Sequence, residues 1–232
     1  MALTEVDRYC LLVLGHIHDE LSWLQRLAFL ATRGHQFTDE VERQGGMMQA
    51  TMLARLLFGK LFEFQILLSP KESPIRQFIS EFYQPTEPQA GTTLVEEILM
   101  QFENEAWIRV GRNKHFMHYP KLNDVRETLS DPTIEWHLEV FHGEVSSNTF
   151  YPTSDVLANY AWFRLVNPDE PMKGLEEALD MLTSITRLTL KALEQSIGYF
   201  IDGRLMSLSK NERVRLNVPS IHDQRLRYFL AT

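Results

Sequence analysis

The segment Arg112-Asn113-Lys114-His115-Phe116-Met117-His118, followed by Tyr119 and Pro120, concentrates residue types that handle phosphate and protons. An arginine is permanently cationic and its planar fork clasps a phosphate, while a histidine titrates near neutral pH and carries a proton. Together they are sufficient equipment for cleaving an RNA phosphodiester with its own 2′-hydroxyl, the histidine as general acid or base and the arginine on the developing charge. That reaction needs no metal and no other cofactor, and the segment offers no carboxylate cluster able to hold magnesium. Arg112 and His118 are the candidate catalytic pair, with Asn113, His115 and Tyr119 in support.

Between Arg109 and Arg126 stand five Lys or Arg against Asp124 alone, a local +4 in a chain whose formal net charge is −8. Arg109, Lys114 and Lys121 are therefore candidate RNA-binding cations. From Gly203 to the end, six basic residues face two acids, again +4. The acidic total excludes a protein that coats nucleic acid by bulk attraction and leaves localised anion binding. Solvated helix and loop surfaces account for such runs as well.

In an unbroken α-helix, six residues advance by about 240° and 9 Å, so Arg112 and His118 do not share a face. His115 shares one with each of them. Convergence of Arg112 with His118 needs distortion of the last turn before Pro120, or a second protomer supplying one partner; the second is preferred, and it predicts a homodimer. The bare spacing occurs at Arg109 with His115, Arg112 with His118, and Arg215 with His222. Asn113, the helical context and the basic surroundings favour the middle pair. The helix dipole by itself also favours histidine and basic residues in a last turn.

Helical periodicity predicts one long helix over roughly residues 5 to 33, opened by a Thr4–Asp7 capping box, and a second from a Thr38 cap to Pro70. Gly34 between them predicts an antiparallel pair. Ser73-Pro74 reads as cap and first position of a short helix. Thr93 and Glu96 form a further capping-box pattern, opening helical sequence that is broken near Asn104 and reaches Tyr119. Ile134, Trp136, Leu138 and Val140 alternate with polar residues, and Gly143 turns the chain toward Tyr151, so a small β-hairpin is expected with Trp136, Leu138 and Val140 facing inward. Ser154 caps a helix to about Leu165, and Leu175 through Tyr199 mark a last long helix. Residues 1–120 are thus expected to form a helical core on which the hairpin and C-terminal helices of 121–232 pack, as one compact, mostly α domain.

Other motifs carry less. His16 and His18 point about 200° apart on a helix, so only His16 and Glu20 are placed to share an ion, and no metal site is expected. Gly45-Gly46 lacks the Lys-Ser/Thr sequel of a phosphate loop. No Gly-x-Ser-x-Gly nucleophile elbow occurs. Trp136, Phe141, Phe150, Tyr151, Tyr160 and Trp162 form either a base-stacking surface or the packing of the hairpin on the helices. The single cysteine, Cys10, excludes an internal disulfide. With no signal-peptide core and no apolar run near the roughly 18 residues of a membrane span, a cytoplasmic protein with no membrane partner is expected.

Two long helices followed by a later helix carrying Arg-Asn-x-x-x-x-His near its C-terminal end resemble the HEPN (higher eukaryote and prokaryote nucleotide-binding) superfamily, particularly its abortive-infection branch. The resemblance covers roughly residues 1–120. It implies an antiparallel helical bundle working as a dimer, with motifs meeting across the dimer cleft. It also implies metal-independent endoribonuclease activity of toxin or antiviral-defence type, restrained by an antitoxin or regulatory protein. The family's Arg, polar residue and His fall on Arg112, Asn113 and His118. Lys60-Leu61-Phe62-Glu63 is similar to the branch's second helix, which implies Glu63 as an acid that orients the site. Some members pair with a nucleotidyltransferase that modifies a tyrosine two residues after the histidine, whereas here Tyr119 follows His118 immediately. The competing expectation is a non-catalytic helical module that binds a protein or nucleotide through the same cleft.

Overall fold

The computed structural model describes residues 3–31, 37, 39–87, 89–116, 118–132, 139–144, 148–205 and 224. They are mostly helical, in the order α1 (Glu5–Ala31), α2 (Glu40–Leu68), α3 (Pro74–Phe82), α4 (Ala90–Glu103), α5 (Ala106–Gly111), a π-helical turn (Arg112–Phe116), α6 (Leu122–Leu129), α7 (Pro152–Val166), α8 (Pro171–Phe200) and a second π turn (Ile201–Leu205). Among the described residues no helix is long and apolar enough to cross a membrane.

Local signals set several helix starts. Thr4 and Asp7 exchange backbone-to-side-chain bonds of 3.0 and 3.1 Å, a reciprocal capping box at the head of α1. Ser73 accepts from the Arg76 N–H ahead of Pro74. At α2 the Asp39 carboxylate takes the Glu42 N–H at 2.8 Å; Thr38 and Gly34 lie outside the described residues.

Other starts differ from expectation. α4 begins at Ala90, ahead of the Thr93–Glu96 pattern, because Glu96 is engaged by Arg76 and because Gly91 docks on α3. A Cβ on Gly91 would stand 2.5 Å from the Ile79 carbonyl oxygen, an approach only glycine permits. α7 begins at Pro152, whose fixed φ suits a first helical position, rather than after Ser154. α6 was not visible as periodicity, since only Val125 and Thr128 of its eight residues are buried.

The hairpin is not present as strands among the described residues. Phe141 and Phe150 form one isolated antiparallel bridge, with both N–H···O bonds at 3.0 Å and stacked rings 4.9 Å apart. Ile134, Trp136 and Leu138 lie outside the described residues. Thr153 accepts the Glu139 N–H at 3.0 Å. The chain leaves the bridge to bond the start of α7 instead of extending a ladder.

The chain clusters into two compact units that do not divide at residue 120. The first comprises Met1–Trp23, Lys60–Ala106 and Thr183–Ile221; the second comprises Leu24–Gly59, Trp107–Leu182 and His222–Thr232. In the first, Phe78, Phe82 and Phe200 form a ring cluster with centroids 4.8 to 5.0 Å apart. Around it Leu14, Leu61, Ile75, Ile79 and Ile98 are fully buried. Cys10 is buried there too; its thiol donates to the Pro74 carbonyl at 3.6 Å, and burial pushes its pKa up to about 11. It is a packing residue, not a reactive thiol. In the second unit, Phe58, Trp107, Phe116 and Trp162 pack with neighbouring centroids 5.1 to 6.4 Å apart. Trp162 is fully buried, and its indole N–H donates to Asn159 at 3.2 Å.

Candidate functional site

The basic segment emerges from α5 as a π turn rather than as continuing α-helix. Packing explains the switch. His115 and Phe116, adjacent in sequence, are both buried, and the Phe116 ring lies in the aromatic cluster of the second unit. Gly111 makes room for it: a Cβ there would stand 2.5 Å from Phe116 Cζ. The wider π turn ends at Phe116, and His118 sits in a bend. Single π turns of this kind recur at functional sites.

The distortion removes the fixed 240° offset of an unbroken helix between Arg112 and His118. His118 and Tyr119 are exposed, Tyr119 almost fully. Arg112 is half-buried and its Nη1 donates to the Asn113 side-chain oxygen at 3.1 Å. The Asn113 partnership thus orients the guanidinium. Lys114 is less available for RNA than the sequence suggests, because its ammonium meets Asp124 at 2.7 Å. Arg109 and Lys121 are exposed. Glu63 is exposed on α2 and belongs to the first unit, whereas residues 112–118 belong to the second. Arg215 and His222 lie outside the described residues.

His115 has a different character from His118. It is 4% exposed, and its Nδ1 has no hydrogen-bond partner among the described residues. Burial holds its pKa below the ordinary histidine value, the charges of Lys114 and Arg55 push the same way, and Asp124 opposes them. Asp124 stays ionised because it accepts the Lys114 ammonium and the Lys121 backbone N–H, the latter at 3.0 Å. A neutral, enclosed imidazole with one unused nitrogen is a poor proton shuttle to a large substrate. The exposed His118 meets the access requirement.

Two ionisable residues absent from the sequence argument join this environment. Arg55 on α2 is half-buried, its Nε has no partner among the described residues, and burial lowers its pKa. Asp155 in the first turn of α7 is pushed up by burial, partly offset by the Arg55 charge. The signal for Arg55 was a lone charge inside the apolar run Met52 to Phe58. Among the described residues no three His, Cys, Asp or Glu side chains come together to hold a metal ion. His16 and Glu20 approach to 3.7 Å, but Glu20 is taken by Lys60 at 2.6 Å. No protein-family model, curated protein or solved structure matches this chain.

Proposed function

We propose that the chain is a metal-independent endoribonuclease of the HEPN type, acting as a homodimer in toxin or antiviral defence. His118 moves the proton and Arg112 holds the scissile phosphate. The observation that carries this reading is the exposed His118 immediately beyond a π turn that bears a half-buried, Asn113-oriented Arg112. Arg109 and Lys121 are exposed cations placed to hold the RNA backbone, while Lys114 serves Asp124. Tyr119, fully exposed beside His118, offers a stacking face for a base.

The chemistry follows from residue type. The 2′-hydroxyl attacks the adjacent phosphorus, a histidine removes its proton or protonates the leaving 5′-oxygen, and the guanidinium stabilises the pentacoordinate phosphorane. The 5′ fragment ends in a 2′,3′-cyclic phosphate. Incubating purified protein with mixed cellular RNA in EDTA, beside His118→Ala, tests the reading. Cleavage by the parent alone, with cyclic phosphate ends, supports it; no cleavage, or cleavage stopped by EDTA, removes it.

The dimer is tested by mixing Arg112→Ala with His118→Ala. A site shared between protomers leaves each mixed dimer one intact site, so about a quarter of parental activity returns if protomers exchange at random. A shared site is excluded if none returns while exchange is demonstrated. The competing reading, a non-catalytic module for a protein or nucleotide, is favoured by the engagement of Lys114 and Arg112 within the chain. It takes over if RNA binds but is never cut.

A further inference from the structure

We propose that the second unit contains a binding site for a small organic cation, a ligand with an apolar, aromatic body and one protonated amine, in the cavity walled by α2, the start of α7 and the start of α8. The cavity measures about 500 Å³. That volume lies within the range of small-molecule sites. Met47, Met48, Val156, Phe163 and Met172 line it, so thioether and ring groups form its apolar part. Methionine adapts to the shape of an apolar guest, and Phe163 and Tyr160 add aromatic surface to the lining.

The polar groups of the lining decide the sign of the charge. Thr51 accepts from Asn159 Nδ2 at 3.0 Å, and the Asn159 oxygen is used by Trp162, so this pair is structural. Arg43 is the one base among the described residues of the lining. Its guanidinium is held by Glu40, with Nε donating at 2.7 Å and Nη2 completing the fork. Glu139 and Asp155 remain. Neither carboxylate has a side-chain hydrogen-bond partner among the described residues. Arg55 offsets only part of the burial of Asp155, so that carboxylate is short of countercharge.

A ligand ammonium supplies what is missing. An anion would face two carboxylates, and a neutral guest would leave Asp155 further desolvated with no partner. The lining contains none of the residues assigned to RNA cleavage, and its failure would leave that reading untouched.

The test is calorimetric titration of the whole chain at pH 7 with 3-phenylpropylamine, 3-phenylpropan-1-ol and 3-phenylpropanoate, which share one apolar body. The amine should bind at least about tenfold more tightly than either analogue, the size of effect expected when one charge pair is added in a partly buried site. Asp155→Asn should bring the amine to the level of the alcohol. Val156→Trp should abolish binding of all three by filling the cavity, while His118→Ala should bind like the parent. Glu139→Gln, at an exposed position, is the second charge variant and should weaken the amine alone if Asp155→Asn fails to fold. Equal or tighter binding of the alcohol or the carboxylate overturns the proposal. So does amine binding indifferent to both charge variants, or no binding by any of the three.

Discussion

In the unit built from Met1–Trp23, Lys60–Ala106 and Thr183–Ile221, the buried side-chain polar atoms without partners among the described residues are neutral: the hydroxyls of Thr186, Thr189 and Ser196 and an amide oxygen of Gln195. Its ion pairs include Lys60 with Glu20 and Arg76 with Glu96, and Arg204 meets both Asp7 and Glu81. The other unit pairs Lys114 with Asp124 and Arg164 with Asp131, yet among the described residues its His115 Nδ1 and Arg55 Nε are buried without a hydrogen-bond partner. A buried hydroxyl without a partner costs little compared with a buried ionisable group, which must shift its pKa to remain buried. The second unit also carries the π turn, the exposed His118 and the cavity. One unit is organised for packing; the other tolerates unfavourable groups where the candidate chemistry lies, a coincidence expected of working sites.

The largest effect should come from His118→Ala. A positioned general acid or base contributes about 10² to 10⁴ in rate, so RNA cleavage should fall by that order with an unchanged melting temperature. Arg112→Lys keeps the charge, loses the fork, and should also be impaired. Should His115→Ala abolish cleavage while His118→Ala does not, the buried histidine is the catalyst, and the contrast between the enclosed and exposed imidazoles is broken.

Next in size is Trp162→Ala, which removes a fully buried indole at the centre of the second unit's cluster. It should cost about 3–5 kcal/mol of stability, readable in chemical denaturation. A loss below about 1 kcal/mol would mean that the cluster does not anchor the π turn through Phe116.

A smaller and more diagnostic effect is the pH dependence from His115. Because burial holds its folded pKa below the ordinary value of about 6.5, the unfolded chain binds this proton more readily. Stability is therefore complete above that pH and declines as pH falls from about 6.5 toward the lower folded pKa. His115→Gln should flatten denaturation curves across that window. If the parent and the variant show the same slope, the imidazole is not held neutral by the fold.

The smallest effect belongs to the first unit. Lys60→Ala breaks the pair with Glu20, whose side chains are 39% and 30% exposed. Such pairs contribute about 0–1 kcal/mol, and thermal denaturation should show no more than that. A larger loss would show that the first unit also depends on individual charges.

What the sequence determined by itself was whatever neighbouring residues decide. The Thr4–Asp7 box, the Ser73-Pro74 start and the lengths of α1 and α8 follow from bonds spanning three or four residues and from apolar stripes of constant period. The candidate pair Arg112 and His118 was legible for the same reason, as residue types at a short spacing. Tertiary structure alone decided the rest. α4 starts at Ala90 because Gly91 meets Ile79. The expected helix through Tyr119 becomes a π turn and a bend because consecutive residues His115 and Phe116 are both buried. The shifted proton affinities of His115, Arg55 and Asp155 depend on groups brought together from distant positions. Burial and electrostatic environment are sums over spatial neighbours, and no local pattern of residues carries that sum.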